Sequence, residues 1–580
     1  MSKTNQPKKE QTSKTESSTS SLYESIENHI ASKGWYYTIA ITLIAAFISY
    51  LLFKARVINN DDALYIQNAT SYAKNFFGFY HIENAPFYPM FLSFIIKAFG
   101  VDIIKLKIVS LISFVLSIFI LVKAYEKRVP YIVALPAIFL TAINASFAAY
   151  ASLTFTEAFY SLFQSIFIWT SFFMIDRVEQ ETDWKKNIPY WILYGLVLFM
   201  MYLTRTVAIS GVLVVISYFI LQKKYLHATL GAVSFGIFFI LNKLSLKILW
   251  SKITDFGDQS KILFQKDAYK PELGNEDTAG FIARFFENAH IYLSSRFMNL
   301  IGINTDTMND ETGMPEPNKI VTFIIVALLG YTFYRAWKSN NKYILVTLLY
   351  VFFMSVITFI TLQTQWGQER LIMILIPFLL IGLLYFFYDL FKNKINLPIV
   401  YVGIVIVLLL ASFSKTNTAI SENAEELSHV KNGELLYGYE IDFQNYILMS
   451  KYCADSLPKG SFVAVRKPTM SFIFANGTEF YGIYRGGDKE DPDSLVSQLR
   501  KNNVTHVGLA ELRLEEKVYR PNEFMSTVHR FAGYIEKKYP GCFKMVKVFG
   551  TEEPSTLLKI DYDLIDSMRA KQKEVPLNSK

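Results

Sequence analysis

The sequence predicts a polytopic α-helical membrane protein with about eleven transmembrane helices and a soluble α/β domain after the last of them. Three observations predict this. Of 580 residues, 52% are hydrophobic and 16% aromatic, with mean hydropathy +0.25, which is too apolar for one soluble domain. Runs of about 17 to 25 apolar residues recur between Trp35 and Ser412. From about Lys415 the hydropathy falls, and short strand patterns alternate with helical ones.

Residues 1–34 are rich in Ser, Thr, Lys, Gln and Glu and read as a disordered cytoplasmic tail. The apolar stretch at Trp35 is too long for a signal-peptide core and lacks a small-residue cleavage site, so it reads as a first span. Hydropathy places spans at 35–53, 104–122, 131–149, 155–175, 190–203, 206–221, 228–246, 320–334, 343–362, 371–388 and 398–412. With these spans alternating, the basic clusters at Lys8 and Lys9, Lys127 and Arg128, Lys185 and Lys186, Lys223 and Lys224, Arg335 and Lys338, and Lys392 share the side of the N-terminal tail. That side is the cytoplasm. The formal charge of +8 therefore needs no nucleic-acid partner, and no nucleic-acid-binding module is visible. A multi-pass protein of the cytoplasmic (inner) membrane follows, with the N-terminus in and the region after Lys415 in the periplasm or outside.

The opposite side receives the loops 54–103 and 250–319, the short loop at 366–370 and residues 415–580. Parity then brings Asp61, Asp62, Glu157, Arg205, Glu369 and Arg370 to one face. Ionisable groups at a bilayer are costly to place and tend to mark function. In the C-terminal domain, strands are expected at 462–465, 479–484, 505–510 and 545–549, with helices at 446–457, 492–501 and 523–538. Asp491-Pro492-Asp493 has the signature of a helix start. This domain carries no glycine-rich phosphate loop and no nucleophile motif, and reads as a lid or acceptor-recognition element. Its cysteines, Cys453 and Cys542, either form a disulfide on the oxidising side or remain two buried thiols. No Cys and His cluster has metal-ligand spacing.

Asp61 and Asp62 lie just beyond the first span. Asp62 suits the cap of an amphipathic helix at 63–76, whose Leu64, Ile66, Ala69, Tyr72 and Ala73 form a membrane-facing stripe. A second apolar stretch, 90–99, is too short to span. Two interfacial helices joined by a turn would hold a carboxylate at the membrane surface. The plainer reading is that both aspartates only cap or end helices.

The acidic pair leading into Ala63-Leu64-Tyr65, followed by Asn84-Ala85-Pro86-Phe87-Tyr88-Pro89, resembles the first exported loop of GT-C-fold glycosyltransferases. The nearest in pattern are the protein O-mannosyltransferases and lipid A aminoarabinose transferases. Phe155-Thr156-Glu157, Thr204-Arg205 and Glu369-Arg370-Leu371 fit the same pattern, over roughly 35–412. The resemblance implies transfer of a sugar from a polyprenyl-phosphate carrier to an acceptor lipid, glycan or protein at the exported face. Asp61 would be the general base, with Asp62 beside it and inversion at the anomeric carbon. Single-displacement glycosyl transfer separately asks for a carboxylate near the nucleophile and positive charge near the departing phosphate. Arg205, Arg370, Arg296, Lys105 and Arg56 are candidates for the phosphate, each with an interfacial role as its plainer reading. Glu157 would orient an arginine or support the acceptor, and Tyr88 would contact substrate.

Two departures from the family pattern stand out. The pair is Asp-Asp rather than Asp-Glu, and the second motif lacks the charged residue and double proline of several members. His81 and Glu83 are candidates for that place. Some enzymes of this fold use a divalent metal and others do not, so both options remain. A polymerase or ligase acting on undecaprenyl-diphosphate-linked glycans is the alternative enzyme. A transporter is disfavoured, because no internal repeat is visible and the charges sit at span ends.

Overall fold

Every expected span coincides with a helix, but the lengths differ in ways the chain explains. The computed structural model describes residues 24–80, 85–253, 259–267, 273–303, 316–392, 397–483, 491–510, 512 and 527–574. Among these, eight helices are long and apolar enough to cross a membrane: Gly34–Leu51, Ile103–Tyr125, Thr156–Gln180, Trp184–Thr204, Tyr225–Leu249, Lys319–Lys338, Lys342–Thr361 and Ile399–Lys431. Three expected spans fall on shorter apolar helices, Tyr131–Ala142, Thr206–Leu221 and Ile376–Phe391. The first of these stops early because Asn144 caps a new short helix, Ala145–Tyr150, accepting the Phe147 amide at 2.9 Å. The third starts with Pro377 in its first turn, where a missing N–H costs nothing.

The expected tail is shorter than 1–34 at its described end. Residues 24–32 are helical, and the Glu27 carboxylate accepts the Tyr131 and Ile132 amides at 2.7 and 3.3 Å. At the other end, the last helix does not stop near Ser412 but runs from Leu397 to Lys431. Polar bonds fasten it along its length. Tyr401 donates to the Ile132 carbonyl and Thr416 to the Ile143 carbonyl, each at 2.6 Å. Asn423 donates to the Leu51 carbonyl at 2.8 Å, satisfying an orphaned group at the end of the first span. Gly302 lets the backbone before it approach this helix, since a Cβ there would lie 2.5 Å from Ala411 backbone atoms.

The chain forms two compact units. One comprises Met1–Arg56, Ala69–Leu263 and Glu276–Ala424; the other comprises Val57–Asn68, Phe264–Asn275 and Glu425–Lys580. The first has a continuous apolar core, with Phe114, Phe167, Phe172, Leu198 and Phe378 fully buried. The segment around the acidic pair thus belongs with the C-terminal region, whereas hydropathy assigned it to the membrane part. Tyr439 donates to the Val57 carbonyl, and Gln67 donates to Glu479 at 2.7 Å.

The second unit contains a mixed five-stranded sheet, with β1 at Val463–Val465, β2 at Tyr481–Gly482, β3 at His506–Ala510, β4 at Phe543–Phe549 and β5 at Ser555–Ile560. The strand order is β2-β1-β3-β5-β4. β1 is parallel to β2 and β3, and β5 is antiparallel to β3 and β4. The sequence reading lacked β5, the Pro468–Phe474 helix and the Tyr562–Glu574 helix. At the β4–β5 turn Gly550 takes φ of 80°, and the Asn445 amide donates to the Glu552 and Glu553 carbonyls at 2.8 and 3.0 Å. Cys453 and Cys542 are both free and buried, which removes the disulfide. Burial pushes each thiol up to about 12.

Asp491 caps the Pro492–Lys501 helix as its sequence signature indicates. Beside it, Asp493 receives Lys538 at 2.5 Å, Arg569 at 2.8 Å and the Tyr539 hydroxyl. Burial opposes its charge, but these hydrogen bonds outweigh it and hold the carboxyl at about 2. The folded value lies below the unfolded value of about 4. The cluster therefore stabilises this unit above pH about 4 and loses that contribution as pH falls toward 2. An Asp493→Asn variant should show a shallower acid transition between pH 4 and 2, measured by near-ultraviolet circular dichroism. A transition identical to that of the parent would refute the assignment.

Candidate active site

The acidic pair opens the Asn60–Lys74 helix. Asn59 is the cap: its Oδ1 accepts the Asp61 and Asp62 amides, both at 3.1 Å. Asp62 reaches backward, its Oδ2 accepting the Ile58 amide at 3.1 Å, and is fully buried. Together these bonds satisfy three amides at the entry to the helix. The structure thus moves the cap from Asp62 to Asn59 and includes both aspartates in the first turn, where the helix dipole favours negative charge. Asp61 is partly exposed. The expected membrane-facing stripe is a packing face: Ile66, Ala69 and Tyr72 are fully buried, and Tyr72 packs edge-on against Phe79 at 4.9 Å.

His81 and Glu83 lie outside the described residues. Tyr88, on the Phe87–Phe99 helix, is fully buried; its hydroxyl lies 2.6 Å from Ser110 Oγ, and its ring is 5.0 Å from Phe159. That burial packs Tyr88 between the helices that carry Ser110 and Phe159. Lys105 pairs with Asp102 at 3.1 Å, both well exposed at the start of the Ile103–Tyr125 helix. An exposed pair one turn apart contributes little. Arg56 offers its backbone carbonyl to the buried Lys107 ammonium.

The structure does bring Arg205, Arg296 and Arg370 into one neighbourhood within the first unit. Arg205 Nη1 is 2.8 Å from Glu157 Oε1 and 3.4 Å from Thr156 Oγ1, at the first turn of the Thr156–Gln180 helix. Glu157 is 4% exposed, so this pair is largely desolvated. The Arg370 guanidinium stacks over Phe155, the residue preceding that helix, at 4.9 Å. Arg296 donates to the Gly367 carbonyl in the same loop that carries Arg370.

Three residues that sequence reasoning missed, Ser146, Asn299 and Lys415, hold this loop through Glu369. Glu369 accepts the Asn299 amide and the Ser146 hydroxyl, the latter at 3.1 Å. Lys415 donates to the Asn299 carbonyl and Oδ1 at 2.9 Å and lies 3.8 Å from Glu369. Arg205, Arg296, Arg370 and Lys415 set against Glu157 and Glu369 leave a net charge of two positive. Guanidinium forks beside a helix N-terminus suit phosphate oxygens. Among the described residues no three His, Cys, Asp or Glu side chains group as metal ligands.

No protein-family model and no curated protein matches the sequence. Solved structures do match. The archaeal oligosaccharyltransferase AglB from Archaeoglobus fulgidus, in complex with an inhibitory peptide and a dolichol-phosphate, aligns with TM-score 0.55 at 13% identity, over 94% of this chain and 75% of that one. The same protein in complex with Zn and sulfate gives 0.53 at 14% identity, over 93% and 74%. ArnT from Cupriavidus metallidurans bound to undecaprenyl phosphate gives 0.48 at 13%, over 90% and 98%. The chain is a multi-pass membrane protein with the GT-C fold, the architecture of the oligosaccharyltransferase.

Proposed function

We propose that this protein is a membrane glycosyltransferase that moves a sugar from a polyprenyl-phosphate donor to an acceptor hydroxyl at the exported face. The observation that carries this reading is the meeting of Arg205 and Arg370 at the start of the Thr156–Gln180 helix, with Arg296 bonded to the loop that carries Arg370. The oligosaccharyltransferase of the same fold, solved with dolichol-phosphate, supports it. Asp61 takes the proton of the acceptor hydroxyl as that oxygen attacks the anomeric carbon. The bond between that carbon and the phosphate oxygen breaks, and the electron pair leaves with the polyprenyl phosphate. Arg205, Arg296 and Arg370 stabilise the charge that develops there. Attack opposite the leaving group inverts the anomeric centre. A donor carrying a whole glycan on a diphosphate is the second reading, favoured by the similarity to an oligosaccharyltransferase.

Purified protein in vesicles, given polyprenyl-phosphate sugars and polyprenyl-diphosphate glycans in turn, separates the two. Acceptor-dependent release of polyprenyl monophosphate from the first set is expected. Release from neither would overturn the glycosyltransferase reading. The orientation makes a separate prediction. A C-terminal tag should be reached by a protease only from outside the cytoplasmic membrane, and digestion from the cytoplasmic side would reverse the assigned faces.

A further inference from the structure

Asp61 sits in the first turn of a helix, where backbone groups lack intrahelical partners and the chain frays. A general base must nevertheless be held within about half an ångström of its productive position. Local capping by Asn59 and Asp62 supplies part of that order. A second part comes from far along the chain. The Thr469 hydroxyl, 409 residues from Asn60, lies 2.8 Å from the Asn60 carbonyl and 2.7 Å from its side-chain Oδ1. One hydroxyl proton shared between two acceptors fixes both the backbone and the side chain of the residue next to Asp61.

Thr469 is itself firmly held. It is buried, in the first turn of the Pro468–Phe474 helix, where Pro468 sets the backbone angle. The Tyr446 hydroxyl donates to the Lys467 carbonyl at 2.8 Å and accepts its amide at 3.2 Å. Ser471 donates to Tyr446 at 2.7 Å and lies 2.8 Å from Ser450 Oγ. Tyr446 and Ser450 belong to the Ile441–Ser456 helix, so buried hydroxyl bonds fasten the Pro468–Phe474 helix, which carries Thr469, to it.

We propose that Thr469 is a positioning residue for the general base, through which the C-terminal domain sets the orientation of Asp61. This rests on the reading of Asp61 as the base. Replacing the hydroxyl by a methyl in Thr469→Val keeps the shape and removes the donor. The full-length protein should then lose about tenfold in kcat, with KM for the polyprenyl-phosphate sugar within about twofold. Backbone amides at 58–65 should exchange hydrogen faster, and Thr469→Ser should restore both kcat and exchange. Thr469→Ala, judged by melting temperature, replaces the valine variant should that fail to fold. Parental kcat, or faster exchange with unchanged kcat, would overturn the proposal. Near-normal transfer by Asp61→Asn would instead remove the base reading, while exchange at 58–65 still reports the tether.

Discussion

Asp61→Asn should lower the transfer rate by about 10³-fold while leaving the protein folded and inserted in the membrane. The amide cannot take a proton from the acceptor hydroxyl, yet it matches the carboxylate in size and suits a helix's first turn. The neighbouring position should behave in the opposite way. Asp62 is fully buried and accepts the Ile58 amide, so Asp62→Asn weakens a charge-assisted bond and should cost about 1–2 kcal/mol of stability. Turnover of a labelled polyprenyl-phosphate sugar, with melting temperatures in detergent, reads both effects. Near-normal transfer in the Asp61 variant would sink its role as base.

The second large effect concerns Arg205. Its partner Glu157 is 4% exposed, and the two charges meet at 2.8 Å. Arg205→Met leaves an unpaired carboxylate in a desolvated place, which costs about 3–5 kcal/mol. The added change Glu157→Gln removes that stranded charge, so the double variant should recover most of the stability. It should not recover donor affinity, because the guanidinium proposed to bind the phosphate remains absent. Unfolding midpoints and KM for the donor separate the two roles. A double variant with parental KM would reduce Arg205 to a structural ion pair.

These two cases show why parts of the site were legible and others were not. Asp61, Glu157, Arg205, Arg296 and Arg370 stand out in sequence because charges are rare beside apolar runs. Asn59 was also within reach, since Asn followed by acids in a first turn is a helix-start pattern. Lys105 and Tyr88 drew notice for the same reasons of type and place, but neighbours decide such cases. Asp102 occupies Lys105, and Ser110 and Phe159 enclose Tyr88. Nothing local marks Ser146, Asn299, Lys415 or Thr469, whose partners are far away in sequence.

Hydropathy by itself determined the polytopic helical class and the positions of the membrane helices, and strand–helix alternation marked a C-terminal α/β domain, because apolar length and periodicity are properties of continuous segments. The extension of the last helix to Lys431 escaped it, since polar residues continue a helix without an apolar signal. Tertiary structure alone decided that the acidic-pair segment groups with Glu425–Lys580, that Asp62 is buried while Asp61 is partly exposed, and that three arginines share one loop and one helix start. Those outcomes depend on side chains brought together across hundreds of residues, and a linear pattern carries no record of such meetings.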